Sequence, residues 1–127
     1  VGLVLDTSVL VDLLRGRVAE ESVLDPRREP VMISTVTLHE VLTGLRGGEA
    51  ELTEVVLASF AVVPLGAAEA ELSARWRREY RARGLTLSLP DTAIAATAAI
   101  RNFPLATGNA KDFPMPELSV EHWPAPA

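Results

Sequence analysis

The chain contains no cysteine. Thiol nucleophiles, disulfides and thiolate metal sites are therefore excluded. Aromatic side chains are few, with two Trp, one Tyr and three Phe. Trp76, Tyr80 and Trp123 are too scattered to make a base-stacking platform. No apolar run approaches the length of a membrane span. No basic-then-apolar leader marks export, so the expected location is the cytoplasm, away from membranes. The formal net charge is −5, the wrong sign for phosphate binding by cations alone. A bound divalent ion reverses the local charge and softens that objection. Glycine-rich phosphate loops of the Walker and dinucleotide-binding types are missing, as is a Gly-x-Ser-x-Gly elbow.

What is present is a regular alternation of short apolar runs and helical periodicity. A length of 127 residues indicates one domain, residues 1–127. A chain of this size buries roughly two thirds of its unfolded surface. Gly2 to Leu5 reads as a buried strand, and Val9, Leu10, Leu13 and Leu14 then repeat at helical spacing up to Gly16. A short helix is expected over Val18 to Leu24, followed by a turn-rich connection from Asp25 to Pro30. Val31 to Ile33 is a second strand. The next helix carries Leu38, Val41, Leu42 and Leu45 and is expected to stop at Gly47 and Gly48. Glu49 to Phe60 reads as helix and Ala61 to Val63 as a third strand. Leu65 to Arg83 reads as a long helix with Leu72, Trp76 and Tyr80 along its apolar stripe and Gly84 as its stop. Leu89 to Ile100 is helical, with Pro90 tolerated near its start. Pro104 to Thr107 and Leu118 to Val120 are the fourth and fifth strands, and the tail from Trp123 is expected to be loose. Such alternation predicts an α/β fold, a mostly parallel sheet covered on both faces.

Against that frame stand four acids: Asp6, Glu40, Asp91 and Asp112. Ligands of open parallel sheets bind beyond the carboxyl ends of the strands. Asp6 lies at one such end, and Asn109 and Asp112 follow another. Each acid also has a purely structural explanation. Asp6 could cap the helix that follows it. Glu40 could complete a capping box begun at Thr37, although Ser34 or Thr35 offers an earlier cap. Glu40 would then point to solvent or to a cleft. Asp91 suits the positive end of its helix, and Asn109 and Asp112 suit turns. Joint placement argues for more. Carboxylates gathered at one edge repel unless a cation lies between them, and hard divalent ions such as Mg²⁺ take such oxygen ligands. The pattern points to metal-dependent phosphoryl transfer. A phosphatase or receiver-type domain and a non-catalytic binding protein are the alternatives. Ser8, where haloacid-dehalogenase phosphatases need a second Asp, counts against one of these.

Arg75, Arg77, Arg78, Arg81 and Arg83 form a basic run. Glu71 with Arg75 and Glu79 with Arg83 are spaced as ordinary i,i+4 pairs, which favours a simple solvated helix face. The other reading makes Arg75, Arg78 and Arg81 a surface for RNA or a partner. His39 and His122 read as structural or solvated.

Four segments together resemble PIN-domain ribonucleases of the VapC toxin type. These are Leu3-Val4-Leu5-Asp6-Thr7-Ser8-Val9-Leu10, Ile33-Ser34-Thr35-Val36-Thr37-Leu38-His39-Glu40, Pro90 to Ala98, and Leu105-Ala106-Thr107-Gly108-Asn109-Ala110-Lys111-Asp112-Phe113. The resemblance spans nearly the whole chain. It implies a three-layer α/β/α domain with a central five-stranded sheet, and a Mg²⁺- or Mn²⁺-dependent endoribonuclease cleaving RNA. It also implies a homodimer and a VapB-type antitoxin partner. Asp6, Glu40, Asp91 and Asp112 would be the catalytic and metal-holding acids, with the fourth role shared between Asn109 and Asp112. Thr7, Ser8 and Thr107 would orient carboxylates or waters.

Overall fold

A computed structural model describes residues 2–17 and 25–123. The helix expected over residues 18–24 and the tail beyond Trp123 lie outside the described residues. Five strands form one sheet: β1 (Leu3–Leu5), β2 (Val31–Ser34), β3 (Ala61–Val63), β4 (Leu105–Thr107) and β5 (Val120–His122). Their order is β3-β2-β1-β4-β5, and every pairing is parallel. The chain thus winds outward from β1 in one direction through β2 and β3, then returns beside β1 as β4. The crevice between the carboxyl ends of β1 and β4 is the switch point at which such sheets bind ligands.

Strand alternation decides what each face carries. Leu3, Leu5, Val31, Ile33 and Ala106 belong to one apolar cluster, whereas Val4 and Leu105 belong to the other. The first face is covered by α1 (Thr7–Leu14), through Val9 and Leu10. Val41 and Leu38 of α2 (Thr35–Thr43) join it, as do Val56 and Leu57 of α3 (Ala50–Leu57). The second face is covered by α4 (Ala67–Ala82) and α5 (Leu89–Arg101), which pack on each other through Trp76, Tyr80, Ile94 and the alanines of α5. Residues Thr92 to Ala98 are all buried. A helix buried on most sides is largely apolar around its circumference, and the two threonines within it, Thr92 and Thr97, turn their hydroxyls back to the Ser88 and Ala93 carbonyls. Alanine meets that need and lets α4 and the sheet approach closely. The result is the three-layer α/β/α arrangement expected from the sequence.

Several boundaries differ, each for a local reason. The second helix stops at Gly44, before the Gly47-Gly48 pair, and Thr43 Oγ1 bonds back to the His39 carbonyl at 2.7 Å. Such back-bonding competes with helix continuation. The helix expected to begin at Leu65 begins at Ala67, because Glu69 Oε2 accepts from the Gly66 amide at 2.7 Å and fixes the start. The fifth strand is Val120–His122, two residues beyond its expected place. Leu118 is instead a buried core residue in a turn, its amide donating to the Met115 carbonyl at 3.2 Å. α4 is followed, as expected, by left-handed Gly84 at φ 82°, and α5 runs one residue past its expected end to a left-handed cap, Asn102 at φ 56°.

Candidate active site

The site is built outward from Asp6. Its amide donates to the Ala106 carbonyl at 2.9 Å, which ties the end of β1 to β4. Its side chain caps α1, with Oδ1 accepting from the Thr7 amide at 2.9 Å. Two hydroxyls, Ser8 Oγ at 3.0 Å and Thr107 Oγ1 at 2.7 Å, both donate to Oδ2. Each hydroxyl in turn accepts a backbone amide from the segment after β4. Gly108 N–H donates to Ser8 Oγ at 3.0 Å, and Asn109 N–H donates to Thr107 Oγ1 at 3.0 Å. Donor direction is therefore fixed from the loop toward the carboxylate. A chain of bonds polarised in one sense strengthens each member. Capping is thus part of what Asp6 does and leaves its second oxygen as the focus of the network.

Gly108 makes this closure possible. A Cβ there would meet the Trp123 carbonyl at 3.2 Å and Ser8 Oγ at 3.5 Å. The Trp123 amide donates to the Thr107 carbonyl at 2.8 Å, so β5 backs the loop directly.

Glu40 comes from α2, whose N-cap is Ser34, with Ser34 Oγ accepting from the Val36 amide at 3.0 Å. The capping-box explanation of Glu40 is thereby removed. Its carboxylate points to a cleft: Thr7 Oγ1 donates to Glu40 Oε1 at 2.6 Å. The Thr37 hydroxyl lies 3.3 Å from the same Thr7 oxygen. Asp91 stands in the first turn of α5, whose N-cap Ser88 accepts from the Asp91 amide at 3.2 Å. Asp112 closes the short 3-10 turn Ala110–Asp112 after β4 and is exposed, as is Asn109. The Asn109 side chain makes no capping bond to that turn.

Electrostatics join these groups. Burial pushes the Asp6 carboxyl above its ordinary range. The hydroxyls of Thr107 and Ser8 and the Thr7 amide pull it down, and the charge on Glu40 pushes it up again. Burial also raises Asp91; Ser88 opposes this, and the charges of Asp6, Asp112 and Glu40 add to it. Asp91 therefore lies within electrostatic reach of the three other acids, and Asp6 within reach of Glu40. Among the described residues none of them takes part in an ion pair. Nor do any three His, Asp or Glu side chains there close into a compact ligand cluster.

The donor set is nonetheless of one kind. Four carboxylates, with hydroxyls behind two of them, suit hard divalent ions of the Mg²⁺ and Mn²⁺ class. The orienting residues that sequence reasoning missed are Thr37, Ser88 and Gly108. The spacing Ser88-Leu89-Pro90-Asp91 is itself a capping signal. Gly108 carried no readable signal, because its constraint comes from a strand distant in sequence.

The basic run resolves differently from its expected pairing. Arg75 pairs with Glu79 at 3.6 Å, Arg77 Nε donates to the Leu87 carbonyl at 3.0 Å, and Arg83 lies 4.2 Å above the Tyr80 ring. None of the described helices is long and apolar enough to cross a membrane.

A family model described as PIN domain matches residues 3–114. The chain belongs to the PIN-domain family. A ribonuclease VapC of Rickettsia bellii is 32% identical, over 94% of each chain. Ribonuclease VapC10 of Mycobacterium tuberculosis is 37% identical, over 89% of this chain and 86% of its own. A toxin–antitoxin complex from Klebsiella pneumoniae has a chain 32% identical with a TM-score of 0.76, covering 92% of this chain and 95% of that one. DNA-bound VapBC from Salmonella typhimurium has a TM-score of 0.83 at 22% identity, a likeness of fold alone.

Proposed function

We propose that this single-domain protein is an endoribonuclease toxin of the VapC type, acting in the cytoplasm as a homodimer. One observation carries the reading. The carboxyl of Asp91 is raised by burial and by the charges of Asp6, Asp112 and Glu40, at the switch point of a parallel sheet. Such a cluster is stable at neutral pH when a cation neutralises it. Asp6, Glu40, Asp91 and Asp112 would hold Mg²⁺, or Mn²⁺ in its place, with Asn109 beside Asp112. When bound, the ion supplies Lewis acidity and offsets charge on the scissile phosphodiester. The residues of the chain do the rest. Ser8 and Thr107 hold Asp6 in one orientation, Thr7 holds Glu40, and Ser88 holds the turn carrying Asp91. Loss of such orienting partners typically costs about 10–100-fold in activity.

The names of the relatives support the RNA substrate, and the Klebsiella complex supports an antitoxin partner. Regulation by a VapB-type antitoxin also suits the surface beside the acids. Val11, Leu14, Val41 and Leu45 line a groove of about 110 Å³ that Glu40 borders. Apolar anchors would fill it, and a guanidinium could reach the acids in a bidentate pair.

The test is cleavage of RNA by the purified protein. Activity should require Mg²⁺ or Mn²⁺, stop with chelator, and leave 5′-phosphate and 3′-hydroxyl ends. Cyclic phosphate products that persist in chelator would mean that the ribose 2′-hydroxyl attacks under general acid–base control, and would overturn the reading. A cognate antitoxin peptide should inhibit cleavage and compete with Mn²⁺; tight binding that changes neither would place control elsewhere.

A further inference from the structure

We propose that Arg78 and Arg81 form a contact surface for the phosphate backbone of the RNA strand that leads into the carboxylate site. The inference rests on the ribonuclease reading above and deepens it.

The cations of this acidic protein are used unequally. Arg17, Arg28, Arg75 and Arg101 are in ion pairs with carboxylates. Arg77 is bonded to the Leu87 carbonyl, and Arg83 is stacked on Tyr80. Among the described residues the side chains of Arg78 and Arg81, like those of Arg15, Arg46 and Lys111, have no ion-pair, hydrogen-bond or ring partner, and both are exposed. They stand three residues apart on α4, so their side chains share one face. Like charges at this spacing destabilise a helix slightly. A chain of net charge −5 has acids to spare, yet pairs its neighbouring arginines and leaves these two facing solvent together. That arrangement is complementary to an external anion with repeated charges.

Position makes the anion a substrate strand. The last turn of α4 closes through Gly84, whose amide donates to the Arg81 carbonyl at 3.0 Å, and through Leu85, whose amide donates to the Tyr80 carbonyl at 2.9 Å. The connection then runs through Leu87, held by Arg77, to Ser88, which caps the turn carrying Asp91. Leu85 and Leu89 on this connection are 45% and 52% exposed. Cations, exposed apolar side chains and a catalytic acid thus follow one another along one hairpin of helices. Guanidinium groups bind phosphate oxygens in bidentate fashion, and the leucines offer apolar surface to bases or sugars between the phosphates and the site.

The experiment measures binding of a fluorescein-labelled single-stranded oligoribonucleotide in chelator, where cleavage is silent, across a series of salt concentrations. Each phosphate neutralised on a single strand contributes about −0.7 to the slope of log K against log salt. The Arg78→Gln/Arg81→Gln variant should therefore lose about 1.4 from the magnitude of the slope. A control, Arg17→Gln/Arg46→Gln, removes the same charge elsewhere and should leave the slope close to wild type. In Mn²⁺ the Arg78/Arg81 variant should show a raised KM with kcat retained. Equal slopes for the two variants, no measurable RNA binding by the wild type, or a changed oligomeric state with an unchanged slope would each overturn the proposal. The outcome is separable from the ribonuclease reading. Arginine-dependent binding without cleavage refutes the reading alone, and metal-dependent cleavage with unaltered slope and KM refutes the surface alone.

Discussion

The two halves of the carboxylate site are built differently. Asp6 is buried and receives three hydrogen bonds, two of them from hydroxyls that are themselves held by backbone amides. Glu40 is tied to it through Thr7. At the other side Asp112 is exposed, and among the described residues its carboxylate has no hydrogen bond or ion pair. Asp91 lies between these extremes, half-buried and held by one serine. The difference teaches how an acidic site can be both ordered and open. One side is fixed by hydrogen bonds within the fold, and the other faces solvent.

The comparison breaks most severely if the acids themselves are changed. Asp6→Asn or Asp91→Asn should reduce cleavage by more than the roughly 10–100-fold expected from losing an orienting partner, with the fold retained. Circular dichroism and an RNA cleavage assay check both parts.

Next in size is the effect of divalent ion on stability. Mg²⁺ or Mn²⁺ should stabilise the wild type by about 2.7 kcal/mol at a hundredfold excess over its dissociation constant. An Asp6→Asn/Asp91→Asn double variant should show little of this shift by thermal denaturation. Equal shifts in the two proteins would count against the site.

Removing hydroxyls sharpens the contrast. Thr107→Val leaves the Asn109 amide without its acceptor and takes a donor from Asp6. The cost should be about 1–3 kcal/mol, read by urea denaturation, together with a fall in activity. Asp112→Asn should change metal-free stability by no more than about 0.5 kcal/mol and still weaken Mn²⁺ binding. A large stability loss there would mean that the exposed side is held as firmly as the buried one.

The pH dependence follows from the raised acids. A carboxyl whose pKa is higher in the folded than in the unfolded state binds more protons when folded. Metal-free stability should then decline as pH rises from the ordinary Asp value of 3.8 through the raised values of Asp6 and Asp91. The Asp6→Asn/Asp91→Asn variant should flatten this part of the profile. A wild-type curve that instead rises through this window by these groups would contradict their raised pKa.

Much of this was legible in the sequence because its signals are local. Apolar triplets marked the strands, periodicity marked α1, α4 and α5, and the switch-point rule brought Asp6 and the segment after Thr107 together. The orientation of Glu40 was not legible, since solvent and cleft are equivalent until Thr7 is seen across from it. The pairing of the arginines was not legible because i,i+4 spacing allows two registers: Arg75 pairs with Glu79 and not with Glu71, and Arg83 stacks on Tyr80. The fifth strand was displaced because Leu118 suits a core turn as well as a strand. In each case a contact between distant segments decided what spacing alone left open.

The central claim is that these acids share a divalent ion. A crystal grown with Mn²⁺ and measured for anomalous scattering tests it most directly. The account predicts an anomalous peak bounded by Asp6, Glu40 and Asp91, with Asp112 or Asn109 completing the open side. Fully occupied Mn²⁺ elsewhere on the surface, with none among these carboxylates, would contradict it.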